Sequence, residues 1–302
     1  MRKRISYILL YLVMTQLGCN RAKELNPQSD NVPKKAFQVV KKQFPESSSL
    51  LFAPLTPEKI WSVDFMSNAR QYKAVVDTQA VLANARFLSN QLPEPLTQFL
   101  DKLAIRGGTI ASEAWEIQPD PVAGEDWPRV AFDYQWKGME RTIKVITNGA
   151  NNVKFALNMG LQSSLAYYVD KPVDVSPKID SYLKRTSLVE PSGIWVSYAR
   201  DGRTTFINKN GTYIFDQDEN PVYVLHGSVV KQEDLPAFVY NYINASPEME
   251  DFLFESAIRF SAEGCSGYHI SIRKDTDIGQ IFNLYFNDNG DLIYHEFTAY
   301  QF

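Results

Sequence analysis

The sequence predicts an α+β fold built as tandem units of one helix plus about four antiparallel strands, with helices covering one face of a curved sheet. Three observations point there. Four helical stretches each open on a proline, at positions 33, 93, 177 and 236, in two close pairs separated by a longer gap. Each is followed by segments in which apolar and polar residues alternate, the mark of a strand with one buried face. Turn dipeptides fall between those segments at Asn148-Gly149, Asp201-Gly202, Asn210-Gly211 and Asn289-Gly290. Such pairs close hairpins because their residues tolerate a positive φ.

The first helix follows Val32-Pro33 and carries Ala36, Val39, Val40 and Phe44 at helical spacing. The second follows Leu92-Pro93 with Leu96, Phe99, Leu100 and Leu103. The third opens at Ser176-Pro177 with Ile179, Tyr182 and Leu183, and the fourth at Leu235-Pro236 with Phe238, Val239, Tyr242 and Ile243. Proline suits the first helical turn because its missing N–H would have had no partner there. A device used four times indicates internal repetition.

The first set of strands reads as Trp61–Phe65 and Tyr72–Val76, the second as Val130–Trp136 and Thr142–Ile146. The third set reads as Ile194–Tyr198, Thr204–Ile207 and Tyr213–Phe215. The last reads as Tyr268–Ile272, Ile281–Phe286 and Leu292–Phe297. The longer gap holds Asp170-Lys171-Pro172, a linker composition. The expected organisation is a domain of two units at 32–165, a linker at 166–176 and a second two-unit domain at 177–302. At roughly 100–200 residues per domain, a chain of this length suits two or three domains and needs no disulfide staple.

The N-terminus carries Arg2, Lys3 and Arg4 ahead of an apolar stretch from Ile5 to Met14. A basic head followed by a short apolar run describes a signal peptide, expected at 1–18. Ten helical residues span about 15 Å, half a bilayer's hydrocarbon core, so the run is too short to cross. Leu17-Gly18-Cys19 resembles the lipobox of bacterial lipoproteins, with Gln16 where that family carries an aliphatic residue. The resemblance implies that Cys19 is acylated, becomes the mature N-terminus and holds the protein on a membrane. A polar segment, 19–31, would then serve as tether. The expected location is the bacterial envelope, facing periplasm or cell surface.

The whole chain has 31 Lys+Arg against 35 Asp+Glu, a net charge of −4, which becomes −7 once Arg2, Lys3 and Arg4 are removed. That balance gives no case for nucleic acid. With Cys19 acylated, Cys265 has no partner for an intramolecular disulfide. In Gly264-Cys265-Ser266-Gly267 it reads as an incidental turn thiol, with no base or cationic helix end beside it.

Val32-Pro33, Phe44-Pro45, Trp61-Ser62-Val63-Asp64-Phe65 and the strand Tyr72–Asp77, continued by Leu92-Pro93, resemble the β-lactamase-inhibitor-like, PepSY-like domain family of exported bacterial proteins. Leu235-Pro236 and the hairpin at Asn289-Gly290 extend the resemblance over about 32–302. It implies a curved sheet with one face under helices and the other open. It also implies a binding role, with inhibition of an enzyme as one form, and it brings no catalytic residues.

Motifs for chemistry are scarce. Of the three histidines, His269 alternates with Ser271 and Arg273 on a polar, solvated face, and His295 alternates with Ile293 and Phe297 on an apolar one. A zinc site needs three or four converging ligands, and His269, His295 and Glu296 lack the spacing of a known metal motif. Asp216-x-Asp218-x-Asn220 lacks the glycine and the final acid of a calcium loop and reads as a hairpin turn. Ser181-x-x-Lys184 and Ser29-Asp30-Asn31 stand in the wrong order for a penicillin-recognising serine enzyme, and no Lys-Thr-Gly follows. No phosphate loop, dinucleotide fingerprint or nucleophile elbow occurs.

Trp195 shares a strand face with Ser197, opposite Val196, and is expected on the open sheet face. Trp127 lies in the loop 119–128, while Trp61 and Trp136 share apolar faces and belong to the core. The candidate binding face is therefore Trp195, Trp127, His269 and Arg273, with no catalytic residue, metal or cofactor. The expected function is a non-catalytic envelope lipoprotein that binds a protein or peptide through an open sheet face. A glycan or small ligand on the same face is the alternative, and an enzyme the third reading.

Overall fold

A computed structural model describes residues 32–56, 58–111, 113–119, 129–147, 154–160, 165–169, 176–185, 194–199, 202–208, 211–224 and 227–302. The expected signal peptide and tether, Cys19, Trp127, His226 and the Asn148-Gly149 turn lie outside the described residues.

Helix α1 (Lys34–Gln43) leads into β1 (Ser48–Thr56), β2 (Ile60–Ser67), β3 (Arg70–Val76) and β4 (Val81–Ser89). Helix α2 (Glu94–Leu100) leads into β5 (Thr109–Ile110), β6 (Ala114–Ile117), β7 (Arg129–Trp136), β8 (Met139–Thr147) and β9 (Phe155–Gly160). Strand β10 (Ala166–Val169), within the expected linker, precedes α3 (Pro177–Arg185), β11 (Ile194–Tyr198), β12 (Thr204–Asn208), β13 (Gly211–Phe215) and β14 (Pro221–Val224). Last come β15 (Gly227–Val229), α4 (Ala237–Asn244), β16 (Leu253–Ala262), β17 (Cys265–Lys274), β18 (Gly279–Asn287) and β19 (Leu292–Gln301).

Two antiparallel sheets result. The long one has 14 strands and runs β1-β2-β3-β4-β6-β7-β8-β9-β19-β18-β17-β16-β15, with β5 on β7 beside β6. The short one has five strands in the order β10 to β14. In the long sheet the pairing of β9 with β19, Met159 opposite Phe297 and Ala156 opposite Tyr300, joins strands far apart in sequence. Strands on either side of the expected linker thereby share one sheet.

The helices form because each carries a narrow apolar stripe. In α1, Ala36 and Val40 lie one turn apart and pack on Trp61, Val63, Phe65 and Ala74. In α2, Leu96, Phe99 and Leu100 are buried against a core that also takes Phe132, Phe155 and the β18 residues Phe282 and Phe286. Burying each such side chain stabilises the fold by about 1.5–3 kcal/mol. Pro33, Pro93 and Pro236 stand immediately before their helices as N-caps, and Pro177 is the first residue of its own.

The α+β expectation is overturned: the protein is mostly antiparallel β-sheet. The helices are 7 to 10 residues long, so each covers about 10–15 Å. A 14-stranded sheet is roughly 60 Å wide. Helices therefore cover only patches of it. Part of the opposite face is covered as well, because the short sheet lies against it. Ile214 and Tyr223 from one face of the short sheet pack with Phe260, Tyr285 and Tyr294 of the long one. Val196, Phe206, Tyr213 and Phe215, from its other face, share a cluster with α3 and with Ile60, Val75, Trp115 and Ile117. Among the described residues no helix is long and apolar enough to cross a membrane.

Candidate functional site

Strand alternation determines what the sheets offer each other. On β19, Phe297 and Ala299 point to the helix side, while Tyr294, Glu296 and Thr298 point to the short sheet. Register carries that parity across to Asn158 on β9, opposite Thr298, and to Lys144 on β8, opposite Asn158. On the short sheet Trp195 stands opposite Ile207, which stands opposite Thr212. These two faces bound a cleft of about 570 Å³. Trp195, Ser197, Ile207 and Thr212 line one wall, and Arg129, Lys144, Asn158, Glu296 and Thr298 line the other.

Trp195 is half-buried, with the ring of Tyr168 meeting it edge-on at 5.6 Å. The guanidinium carbon of Arg129 lies 5.9 Å from the indole centroid, so one cation–π contact spans the cleft. Glu296 faces them. Burial raises its pKa, while hydrogen bonds from Tyr294 and Tyr285 act the other way. The Tyr285 hydroxyl donates to Glu296 Oε2 at 3.1 Å. Glu296 Oε1 and Asn158 Oδ1 both stand over the bare backbone of Gly160, 3.8 and 3.7 Å from where a side chain would begin.

Behind Glu296 the aromatic rings form a stack across three strands. His269 lies on Tyr285 at 4.5 Å and 4°, and Tyr285 lies on Tyr294 at 4.2 Å and 6°. Tyr223 of the short sheet closes over Tyr285 edge-on at 4.5 Å. His269 is therefore half-buried rather than solvated, since the face that sequence alternation left open is covered. Burial lowers its pKa, and its Nε2 lies 3.3 Å from Asn283 Oδ1.

Of the expected binding residues, the structure puts Trp195 in the cleft and His269 one ring behind it. Arg273 is elsewhere. Its Nε donates to Asp275 at 2.6 Å, its Nη1 to Glu255 at 3.4 Å and its Nη2 to the Tyr300 hydroxyl at 2.5 Å. Those bonds occupy its fork at the far end of β17. Trp61 and Trp136 are buried, at 2% and 4% exposure, as their apolar faces require.

Sequence reading missed Arg129, Lys144, Asn158, Glu296, Thr298 and Thr212. Alternation alone marks Glu296 and Thr298 as sharing a face, but only the β9–β19 pairing sets them beside Asn158 and Lys144. Nothing local announces that pairing.

Cys265 opens β17 after a turn in which Gly264 has φ of 85°. Burial pushes its thiol up to about 11, which keeps it protonated at neutral pH. Asp216 Oδ1 accepts the backbone N–H groups of Asp218 at 2.9 Å and Asn220 at 2.8 Å, an Asx-type turn. Among the described residues no three His, Cys, Asp or Glu side chains gather as metal ligands would.

No family model matches the chain, and no curated protein does. The crystal structure of a DUF2874 family protein from Bacteroides uniformis ATCC 8492 is similar at a TM-score of 0.30 and 16% identity, over 38% of this chain and 81% of that one. A likeness of that size carries no argument about this chain.

Proposed function

We propose that the protein is a non-catalytic binding protein of the bacterial envelope, lipid-anchored through Cys19, whose ligand enters the cleft between the two sheets. The observation that carries this reading is the pairing of a half-buried Trp195 on one wall with Glu296 and Asn158 on the other. A concave site of a few hundred Å³ that combines an aromatic surface with a few converging polar groups suits a small molecule. The cleft favours this over the broad open sheet face expected for a protein partner, because the short sheet lies over part of that face. A binding role also fits the chemistry of the described residues that line the cleft, among which Glu296 is the one carboxyl.

Mass spectrometry of protein isolated from host membranes tests both halves. Its intact mass should show an acylated Cys19 as N-terminus, and native spectra should show a low-mass adduct that Thr212→Trp, filling the cleft, abolishes. An unmodified Cys19 contradicts the anchor, and an adduct retained by Thr212→Trp puts binding elsewhere.

A further inference from the structure

We propose that the cleft is a saccharide site, in which a pyranose ring lies against Trp195 and its hydroxyls meet Glu296, Asn158, Thr298 and Thr212. The inference rests on the cleft being the binding site and names the class of molecule it takes. A pyranose has two chemically different surfaces, C–H faces that are apolar and a rim of hydroxyls. The cleft has the matching division. Trp195 and Ile207 offer apolar surface on one wall, and an amide, a carboxyl, a hydroxyl and the cationic side chains of Arg129 and Lys144 belong to the other. Glu296 Oε1 and Asn158 Oδ1 lie 3.8 and 3.7 Å from where a Gly160 side chain would begin, so a methyl group there would crowd both acceptors. Two acceptors on one wall suit the hydroxyls of a ring. Tyr285, bonded to Oε2, fixes the carboxyl and leaves Oε1 directed at the cleft.

The same geometry disfavours other small ligands. An alkyl chain would strip water from Glu296, Asn158 and Thr298 without replacing their hydrogen bonds, which is costly. An extended peptide binds sheets by adding a strand at a free edge. Strands β7, β8, β9, β19, β11, β12 and β13 each have a neighbour on both sides, and the edge strand β10 reaches this cleft through Ala166 alone, too little edge for a paired peptide.

Calorimetric titration of the full chain with chitobiose, maltotriose and cellotriose tests the proposal, with trialanine and laurate as comparators. At least one saccharide should bind, with affinity reduced 10-fold or more by Trp195→Ala and at least 5-fold by Gly160→Ala. The second variant guards against misfolding, since its new Cβ meets nothing closer than 3.7 Å. Absence of saccharide binding, or binding that both variants leave unchanged, overturns the proposal. Trialanine or laurate binding that Trp195→Ala abolishes would overturn the saccharide class while leaving the cleft as the site. Binding of either comparator that both variants leave intact would overturn the two together.

Discussion

His295 has no exposed surface, makes T-shaped contacts with Trp136 at 5.6 Å and Phe282 at 6.3 Å, and neither ring nitrogen has a hydrogen-bond partner among the described residues. Burial, reinforced by the nearby Arg141 and Lys137, lowers its pKa from 6.5 to about 3. The unfolded chain takes up this proton at a higher pH than the folded one. Stability from this residue is therefore complete above about pH 6.5 and is lost as pH falls toward 3, amounting to roughly 2 kcal/mol at pH 5. His269, whose pKa is also lowered, acts in the same direction, whereas Glu296, whose pKa is raised, opposes it. Comparison with a variant isolates His295. Urea unfolding at pH 7.5 and pH 5 should give a difference for His295→Phe that is smaller than wild type by about that amount; equal differences would show that His295 takes up its proton in the folded state as readily as in the unfolded one. Sequence alternation put this histidine on the apolar face. Its lack of polar partners was invisible there, because it depends on which rings the neighbouring strands bring.

Strand β17 illustrates how closely the elements fit. A Cβ on Gly267 would stand 1.9 Å from the carbonyl oxygen of Phe286 on β18 and 2.9 Å from the Phe260 ring on β16. Gly267→Ala must push the strand away from one neighbour, at a cost of about 1–3 kcal/mol. Thermal unfolding should show that loss, and an unchanged melting temperature would mean that the backbones already stand further apart. The helices and most strands were legible in sequence because each is specified by its own periodicity, as with Leu96, Phe99 and Leu100 in α2. The fold class was not, because it depends on proportion and pairing. Four short amphipathic helices signal clearly, yet they are small beside a 14-stranded sheet. The Met159–Phe297 register that makes the sheet continuous is a contact between residues 138 positions apart.

Across the whole molecule, the proposed function follows from how the two sheets pack. Apolar clusters on both faces of the short sheet, around Tyr223 and around Phe206, fix its position, and the polar residues that share a face with Tyr223 line the cleft. Trp195 was identifiable as a face residue from its alternation with Val196, but its opposite wall comes from β8, β9 and β19, which sequence alone did not bring near it. The chain has five tryptophans; among the described residues Trp61, Trp115 and Trp136 are buried and Trp195 lines the cleft. Labelling them with 5-fluorotryptophan gives five fluorine resonances, assignable by single Trp→Phe variants. On titration with chitobiose, maltotriose and cellotriose, the Trp195 resonance should shift with saturation while those of Trp61, Trp115 and Trp136 stay in place. A Trp195 resonance that stays fixed while another tryptophan moves would contradict binding in the cleft.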